Sequence, residues 1–424
     1  MSAAPVSPDS QVILLLCTQL ALPRRDSELK PLSRPEWNDV ARAIDASRFK
    51  RPGALLGAAA ESLALDLNIE PAFAERISAL LARGGQLAIE LERLGTLGIW
   101  ALTRADPAYP SRLKERLKGQ APPVLFGAGP RDTLAHRGIA IVGSRDVDAA
   151  GSAFASELGR LCARAALSVF SGGARGVDRL AVDGALDEGG QALAILADSL
   201  QDSLRRKELR NAVLSGRLTL MTASSPSARF TVAGAMGRNK VIYALSSAAV
   251  VVSSAFQTGG TWAGAIENLR AGWVPLFVRD GEDVPDGNRE LIKRGGRPVP
   301  HEGLESNFAA MVDAPALPHQ AALVRESSAT YAAGQNAPAS PADAASDDTR
   351  TADAFRSVWP RLAAFLASPR TETEVAEAFH LEIAQTTAWL QRAIDDRLVR
   401  TSGNPPRYER IDAADDAQGS LFEP

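Results

Sequence analysis

Histidine and cysteine are scarce in this sequence: four and two among 424 residues. His136, His301, His319 and His380 show no ligand spacing, and Cys17 and Cys162 lie far apart in apolar stretches. A metal site and a histidine-based triad are therefore not expected, whereas two buried thiols in a reducing cytoplasm are. An excess of positive charge is also missing. The formal net charge is −3, so no global basic field announces nucleic acid, although a local patch suffices for that. No apolar run reaches the length of a membrane span. Val12–Leu16 is short and no Lys or Arg precedes it, which predicts no leader, no membrane and a cytoplasmic protein. A Walker A motif is absent, and no G-x-G-x-x-G follows the first strand of the α/β segment. The P-loop and dehydrogenase readings fall with them, and no cofactor is expected.

What is present is organised around Ile139–Asp178. IAIVGSR (Ile139–Arg145) and FSGGARGVD (Phe170–Asp178) are apolar runs ending in glycine-rich turns, with one helix of sequence between them. That is a βαβ unit with two turns at the carboxyl ends of neighbouring parallel strands, where such sheets bind ligands. Strand candidates are Ile139–Val142, Ser168–Phe170, Ala192–Leu196, Thr219–Met221, Ala248–Val252 and Val274–Phe277. Helical patterns fall between them at Ala153–Ala165, Arg179–Glu188, Arg205–Leu214, Arg238–Leu245 and Trp262–Ala271. Runs such as AAVVV are buried on both faces in a parallel sheet. The fold expected is α/β: an extended Rossmann-like, doubly wound, mostly parallel sheet.

Residues 1–104 read as an N-terminal helical domain with its own core, from Glu36–Ile44, Pro71–Ala82 and Gln86–Leu94, with Ser33 and Asn68 as N-caps. Residues 105–300 carry the α/β domain, introduced by a short strand at Val124–Phe126. Residues 301–352, rich in Ala, Ser, Pro and Asp, read as a disordered linker. Residues 353–412 read as a winged helix, with helices at Phe355–Leu366, Glu372–Phe379 and Ile383–Ile394 and a β-wing. Residues 413–424 form an acidic tail.

Five stretches can carry chemistry. Gly143, Ser144 and Arg145 close the first strand: glycine allows a close turn, serine donates to a phosphate, and arginine forks two of its oxygens. Ser171, Gly172, Gly173 and Arg175 precede a helix whose N-terminus favours an anion, with Asp178 either capping that helix or pairing with Arg175. Arg238, Asn239 and Lys240 follow Gly237 at an expected helix start. Thr258, Gly259, Gly260 and Thr261 form another N-terminal cradle, with Glu267 either a general base or a solvated residue. Arg205, Arg206, Lys207, Arg210 and Arg217 form a secondary basic patch opposed by Glu208 alone, either a solvated face or a contact for a polyanion.

Together these motifs resemble the DNA-processing protein A (DprA, or Smf) family. IAIVGSR, SGGARGVD, GRNKVIYALS, TGGTWAGAIENLRAG and PDGNRELIKRGGRPV appear in the family's order, and TRADPAYPSRLKE and PPVLFGAG resemble its lead-in. The resemblance covers roughly Leu94–Val299 and marks a divergent member. It implies a non-enzymatic protein that binds single-stranded DNA, self-associates as a homodimer, and delivers DNA to a RecA-type recombinase in natural transformation. Gly143, Ser144, Arg145, Gly172, Gly173, Arg175, Arg238, Asn239 and Lys240 would line its DNA pocket, gripping the backbone with little base readout. There are departures. The family's usual Phe-Pro before Arg-Asn-Arg is Ala235-Met236 here, its Tyr-Pro after the third strand is the Arg205–Lys207 cluster, and its Ser-Gly-Ser after the fifth is Thr258-Gly259-Gly260. A stacking aromatic is thus missing from its usual place, and Phe230 lies a few residues upstream; a stacked base is worth about 1–3 kcal/mol.

The alternative is a nucleotide sensor or a phosphoribohydrolase-like enzyme on the same fold, favoured by Gly259-Gly260-Thr261 and Glu267. Against it, the hydrolase spacing Pro-Gly-Gly-x-Gly-Thr-x-x-Glu is not met. The winged helix, whose third helix carries Arg392 beside Asp395 and Asp396, suits a protein contact at least as well as duplex DNA.

Overall fold

The computed structural model describes residues 6–22 and 29–312, and in the C-terminal part 359, 362–379, 386, 389–390, 393–394, 398–402 and 406–410. The chain divides into two compact units, Met1–Ala332 and Ala333–Pro424.

The first unit is built on a nine-stranded sheet. Its strands are β1 (Ile99–Thr103), β2 (Val124–Ala128), β3 (Gly138–Gly143), β4 (Ser168–Ser171), β5 (Ala192–Ile195), β6 (Leu218–Thr222), β7 (Ala248–Ser253), β8 (Leu276–Asp280) and β9 (Arg297–Pro300). Their order is β1-β2-β6-β5-β4-β3-β7-β8-β9. The pairs from β6 through β9 are parallel, and β1–β2 and β2–β6 are antiparallel. Apolar residues alternate in direction along each strand, so Ile139 and Ile141 enter one apolar layer and Ala140 and Val142 the other. The long apolar runs of the sequence are this two-sided burial.

Helices α1 (Pro8–Cys17), α2 (Arg34–Ala46), α3 (Ala60–Leu67), α4 (Pro71–Leu81) and α5 (Gly84–Thr96) precede the sheet. Then come α6 (Ser111–Leu117), α7 (Ala149–Arg164), α8 (Val177–Asp187), α9 (Leu200–Arg205), α10 (Lys207–Leu214), α11 (Val232–Leu245), α12 (Gly259–Ala271), α13 (Asp286–Lys293) and α14 (Leu304–Val312). Apolar residues of α7 and α8 fill one layer, and those of α6, α11, α12 and α13 fill the other. The N-terminal helices share the α7–α8 layer, with Val12–Leu16 in the same cluster as Ile139 and Val124. The Ser10 hydroxyl donates to Asp106 at 2.7 Å, fastening α1 to the end of β1. The separate helical core expected for residues 1–104 is therefore a shared one, and Ile99–Thr103 is an edge strand rather than part of a helical segment.

Local capping explains several boundaries. Ser33 caps α2 in a full capping box. Asn68, expected to start a helix, instead ends α3 in the left-handed conformation (φ 50°, ψ 54°) that asparagine tolerates. The basic helix expected over Arg205–Leu214 breaks at Arg206, whose ψ of 120° leaves the helical region. β9 escaped the strand pattern because only Val299 is buried there, and an edge strand accepts Pro298 and Pro300.

In the second unit, helix Glu372–Phe379 lies beside a three-stranded antiparallel sheet of Arg370–Thr371, Arg407–Arg410 and Val399–Ser402. Leu362, Leu366, Val375, Leu390, Ala393 and Val399 form its apolar cluster. Of the linker expected at 301–352, Leu304–Val312 is instead helix α14, with Leu304, Phe308 and Met311 buried in the apolar layer; its remainder from 313 on, the acidic tail and much of the helix expected at Ile383–Ile394 lie outside the described residues. Among the described residues no helix is long and apolar enough to cross a membrane, and no three His, Cys, Asp or Glu side chains are grouped to hold a metal.

Candidate functional site

The chain leaves β3 toward β4, β5 and β6, then returns to place β7 on the other side of β3. The helix after β3 packs on one face and the helix after β7 on the other. A crevice must open between their carboxyl ends, at the point where the strand order reverses. The bulge at Val142/Gly143 in the β3–β7 pairing lies at that mouth. A cleft of about 660 Å³ occupies this position.

It is lined by Gly143, Ser144 and Arg145 from the end of β3, Arg238 and Asn239 from α11, and Thr258, Gly259, Gly260 and Thr261 from the start of α12. Nine residues singled out in three separate stretches of sequence thus meet at one site. Arg145 is exposed, and its guanidinium lies 5.7 Å from the ring of Phe230. The Ser144 hydroxyl accepts the Asp146 N–H at 3.2 Å and keeps its proton to donate. Thr258 makes no side-chain capping bond to α12, whose first turn is exposed. Its initial N–H groups therefore face the cleft mouth without a capping side chain, an arrangement suited to an anion. Asn239 braces this turn by donating to the Gly260 carbonyl at 2.9 Å.

Arg238 enters the site differently from expectation. α11 starts at Val232 under a Thr231 cap, so Gly237 opens no helix and Arg238 acts through its side chain from mid-helix. Its side chain is 13% exposed and sits 3.8 Å from the Asp178 carboxylate, itself 8% exposed. Burial raises the Asp178 pKa, and Arg238 opposes this. Burial lowers the Arg238 pKa, and Asp178 opposes that. Asp178 also accepts the Gly172 N–H at 3.1 Å, so of the two roles open to it, it neither pairs with Arg175 nor caps from the N-cap position. Arg238 Nε and the Tyr243 hydroxyl are buried with no hydrogen-bond partner among the described residues. Both residues line the cleft, and buried polar groups are rarely left so unless something else fills the site.

The second glycine-rich turn is used up by the protein itself. The Ser171 hydroxyl donates to the Ile141 carbonyl at 2.6 Å. A Cβ on Gly172 would collide with the Arg238 guanidinium. Gly176, at φ +81°, lets the turn pass directly over the Ser144 and Arg145 carbonyls, and Val177 N–H donates to Ser144. Gly173 lies in a separate small hollow with Leu196 and Arg206. Arg175 points away and pairs with Asp146 at 2.7 Å in solvent. None of Ser171, Gly172, Gly173 and Arg175 lines the cleft.

Lys240 is also elsewhere. It pairs with Glu267 at 2.8 Å and donates to Gln120. Glu267 belongs to a different hollow, with Glu115–Gln120 and Trp273. It is therefore neither near the Thr258–Thr261 turn as a base nor freely solvated. Arg205 pairs with Asp202 at 2.7 Å, while Arg206, Lys207 and Arg210 are exposed around the junction of α9 and α10.

Of the cleft's aromatics, the sequence pointed to Phe230 only as lying upstream of a missing one, and gave Trp262 no role. Phe230 is 49% exposed on its wall, beside Met236. On the α12 side Trp262 lines the cleft and meets Phe256 edge-to-face at 5.3 Å. The available signal was a Phe stranded in a polar loop, S-A-R-F-T, where packing gives no reason for it.

Residues 100–302 match the family model described as DNA recombination-mediator protein A. A curated relative, the putative DNA processing protein DprA of Mycobacterium tuberculosis, is 29% identical over 240 residues, covering 53% of this chain and 58% of the relative. The chain thus spans less than two thirds of that relative's length. Among solved structures, DNA processing protein A of Streptococcus pneumoniae shares the fold at a TM-score of 0.55 and 19% identity, covering 73% of this chain and 99% of that one. DNA processing protein A of Helicobacter pylori, described as binding single-stranded DNA, aligns at a TM-score of 0.41 and 21% identity, over 50% of this chain and 94% of that one.

Proposed function

We propose, from the premise that this chain is a member of the DNA recombination-mediator protein A family through residues 100–302, that it binds single-stranded DNA in the β3–β7 cleft as a step of recombination. One observation carries this reading. Two arginines, an uncapped helix start and an exposed phenylalanine from four different segments converge on one cleft at the sheet's switch point. Arg145, Ser144 and the α12 N–H groups hold phosphate, Arg238 adds a buried positive charge, and Phe230 offers a face for a base. Phe230 takes the place of the aromatic missing before Arg238. The grip is on phosphates and on the face of a base rather than on its edge, which makes the binding sequence-tolerant.

Handing the DNA to a RecA-type recombinase, acting as a homodimer in the cytoplasm, and a winged-helix role for the second unit belong to the same proposal. The non-enzymatic reading also belongs here. The position of Glu267, paired with Lys240 outside the cleft, supports it over a phosphoribohydrolase.

The test is a mobility shift of a fluorescent single-stranded oligonucleotide by the full chain at low salt. A shifted band that a duplex of the same sequence competes poorly is the expected result. No shift with either would defeat the reading, and release of base from a nucleoside monophosphate would replace it with the enzyme.

A further inference from the structure

We infer that the DNA path does not end in the switch-point cleft. It continues along the carboxyl edge of the sheet onto a second cationic station made by Arg206, Lys207, Arg210 and Arg229. This extends the proposed single-stranded DNA binding and rests on it.

The four side chains are exposed, and none has a salt-bridge partner among the described residues. Their placement follows from local structure. The break at Arg206 separates α9 from α10 and leaves Arg206 in the hollow beside Ala194 and Leu196, at the carboxyl end of β5. Leu204, Leu209, Ala212 and Val213 pack inward against the apolar layer. Lys207 and Arg210 are therefore left on the outer side of α10. The neighbouring carboxylates do not cancel the patch. Asp202 is engaged by Arg205, which leaves Glu208 on the surface and Asp198, which faces both Arg206 in its hollow and buried Arg238.

The loop 223–231 bridges the two stations. At one end the Pro226 carbonyl accepts the Gln201 N–H at 3.0 Å and the Ser199 hydroxyl at 3.4 Å, fixing the loop to α9. At the other, Phe230 lies under Arg145 in the cleft wall. Arg229 sits between these anchors. From β3 to β5 is two strand spacings, about 10 Å, so an extended polyanion leaving the cleft meets the second station almost at once. A free mononucleotide would use the cleft alone; a chain of phosphates fits both stations, and counterion release rewards each contact added.

The experiment compares the full chain with Arg206→Glu/Lys207→Glu/Arg210→Glu by fluorescence anisotropy, using single-stranded oligonucleotides of about 2 and about 20 nucleotides, the shorter unable to span the ~10 Å between the stations and the longer reaching both. The expected result is a loss of about tenfold or more on the long oligonucleotide, with the salt slope reduced by about 2, for three contacts at about 0.7 each. The short oligonucleotide should bind both proteins equally. Equal binding of the long oligonucleotide by both proteins overturns the second station. Equal weakening on both lengths also overturns it, since the patch would then act on the cleft itself. If the wild type binds neither length, the proposed function fails, and the extension with it. Should charge reversal lower the melting temperature, the Arg206→Gln/Lys207→Gln/Arg210→Gln protein replaces it, with the same ranking expected.

Discussion

Gly143-Ser144-Arg145 and Ser171–Arg175 both follow a buried parallel strand, and both supply glycine, serine and arginine in one turn. The first opens into the cleft; the second is closed by its own structure. The difference lies in strand order rather than in the turns. β3 stands where the order reverses, so its neighbours β4 and β7 send their helices to opposite faces. β4 stands between two strands on the same side of that point, and α8 packs directly against α7 in one layer. The turn on β4 reaches the cleft only through Ala174, with none of its serine, glycine or arginine residues. Its groups instead hold the floor of the neighbouring site: Ser171 ties β4 to β3, and Gly172 makes room for Arg238 and donates to Asp178. Anion-friendly residue types therefore announce a turn at a strand end, while topology decides whether a ligand can reach it.

The largest effect expected is on the floor. Arg238→Ala strands the buried Asp178 carboxylate, and removing one partner of a buried pair costs about 3–5 kcal/mol. Urea unfolding should show a loss of that size, with Asp178→Asn/Arg238→Ala recovering much of it. The pair also sets a pH dependence. Burial raises the Asp178 pKa above its ordinary value, so the folded state holds that proton more tightly than the unfolded one. This favours folding below the unfolded value of about 3.9 and is lost as pH rises through the folded one. The wild-type protein should show this component in a stability–pH series and the double variant should not.

An intermediate effect is expected at the wall. Phe230→Ala should weaken single-stranded DNA binding by about 1–3 kcal/mol, the worth of one stacked base, with the salt slope unchanged because no charge is removed. Phe230→Trp should retain affinity. If Phe230→Ala binds as well as wild type in an anisotropy titration, the cleft grips phosphate alone.

Much of this was legible in the sequence. The apolar runs of β3, β4, β5, β6 and β7 reveal a two-sided parallel sheet, and the glycine-rich turns mark its carboxyl edge. Harder to see was α11, whose first turns read V-A-G-A-M-G. Two glycines lower its helix propensity, and Thr231 and tertiary packing override that. Placing the helix start at Gly237 put Arg238 in a first turn, whereas it stands mid-helix, its side chain largely buried beside Asp178. The position of Phe230, noted only as upstream of a missing aromatic, was equally hard to place, because the loop that leads from β6 to the cleft leaves no periodic signal. Lys240 is adjacent to Asn239 in sequence, but successive helix residues point about 100° apart, and that angle carries it away from the cleft to Glu267 and Gln120.

The contrast between the two turns is tested most directly by the salt dependence of single-stranded oligonucleotide affinity in wild type, Arg145→Ala and Arg175→Ala. Arg145→Ala should lose about 1.5–3 kcal/mol, a charged hydrogen-bond contact, and about 0.7 of salt slope. Arg175→Ala, which breaks only an exposed pair with Asp146, should stay within about 1 kcal/mol of wild type at unchanged slope. Equal losses in the two variants, or a larger loss in Arg175→Ala, would contradict the assignment of the ligand to the β3–β7 cleft.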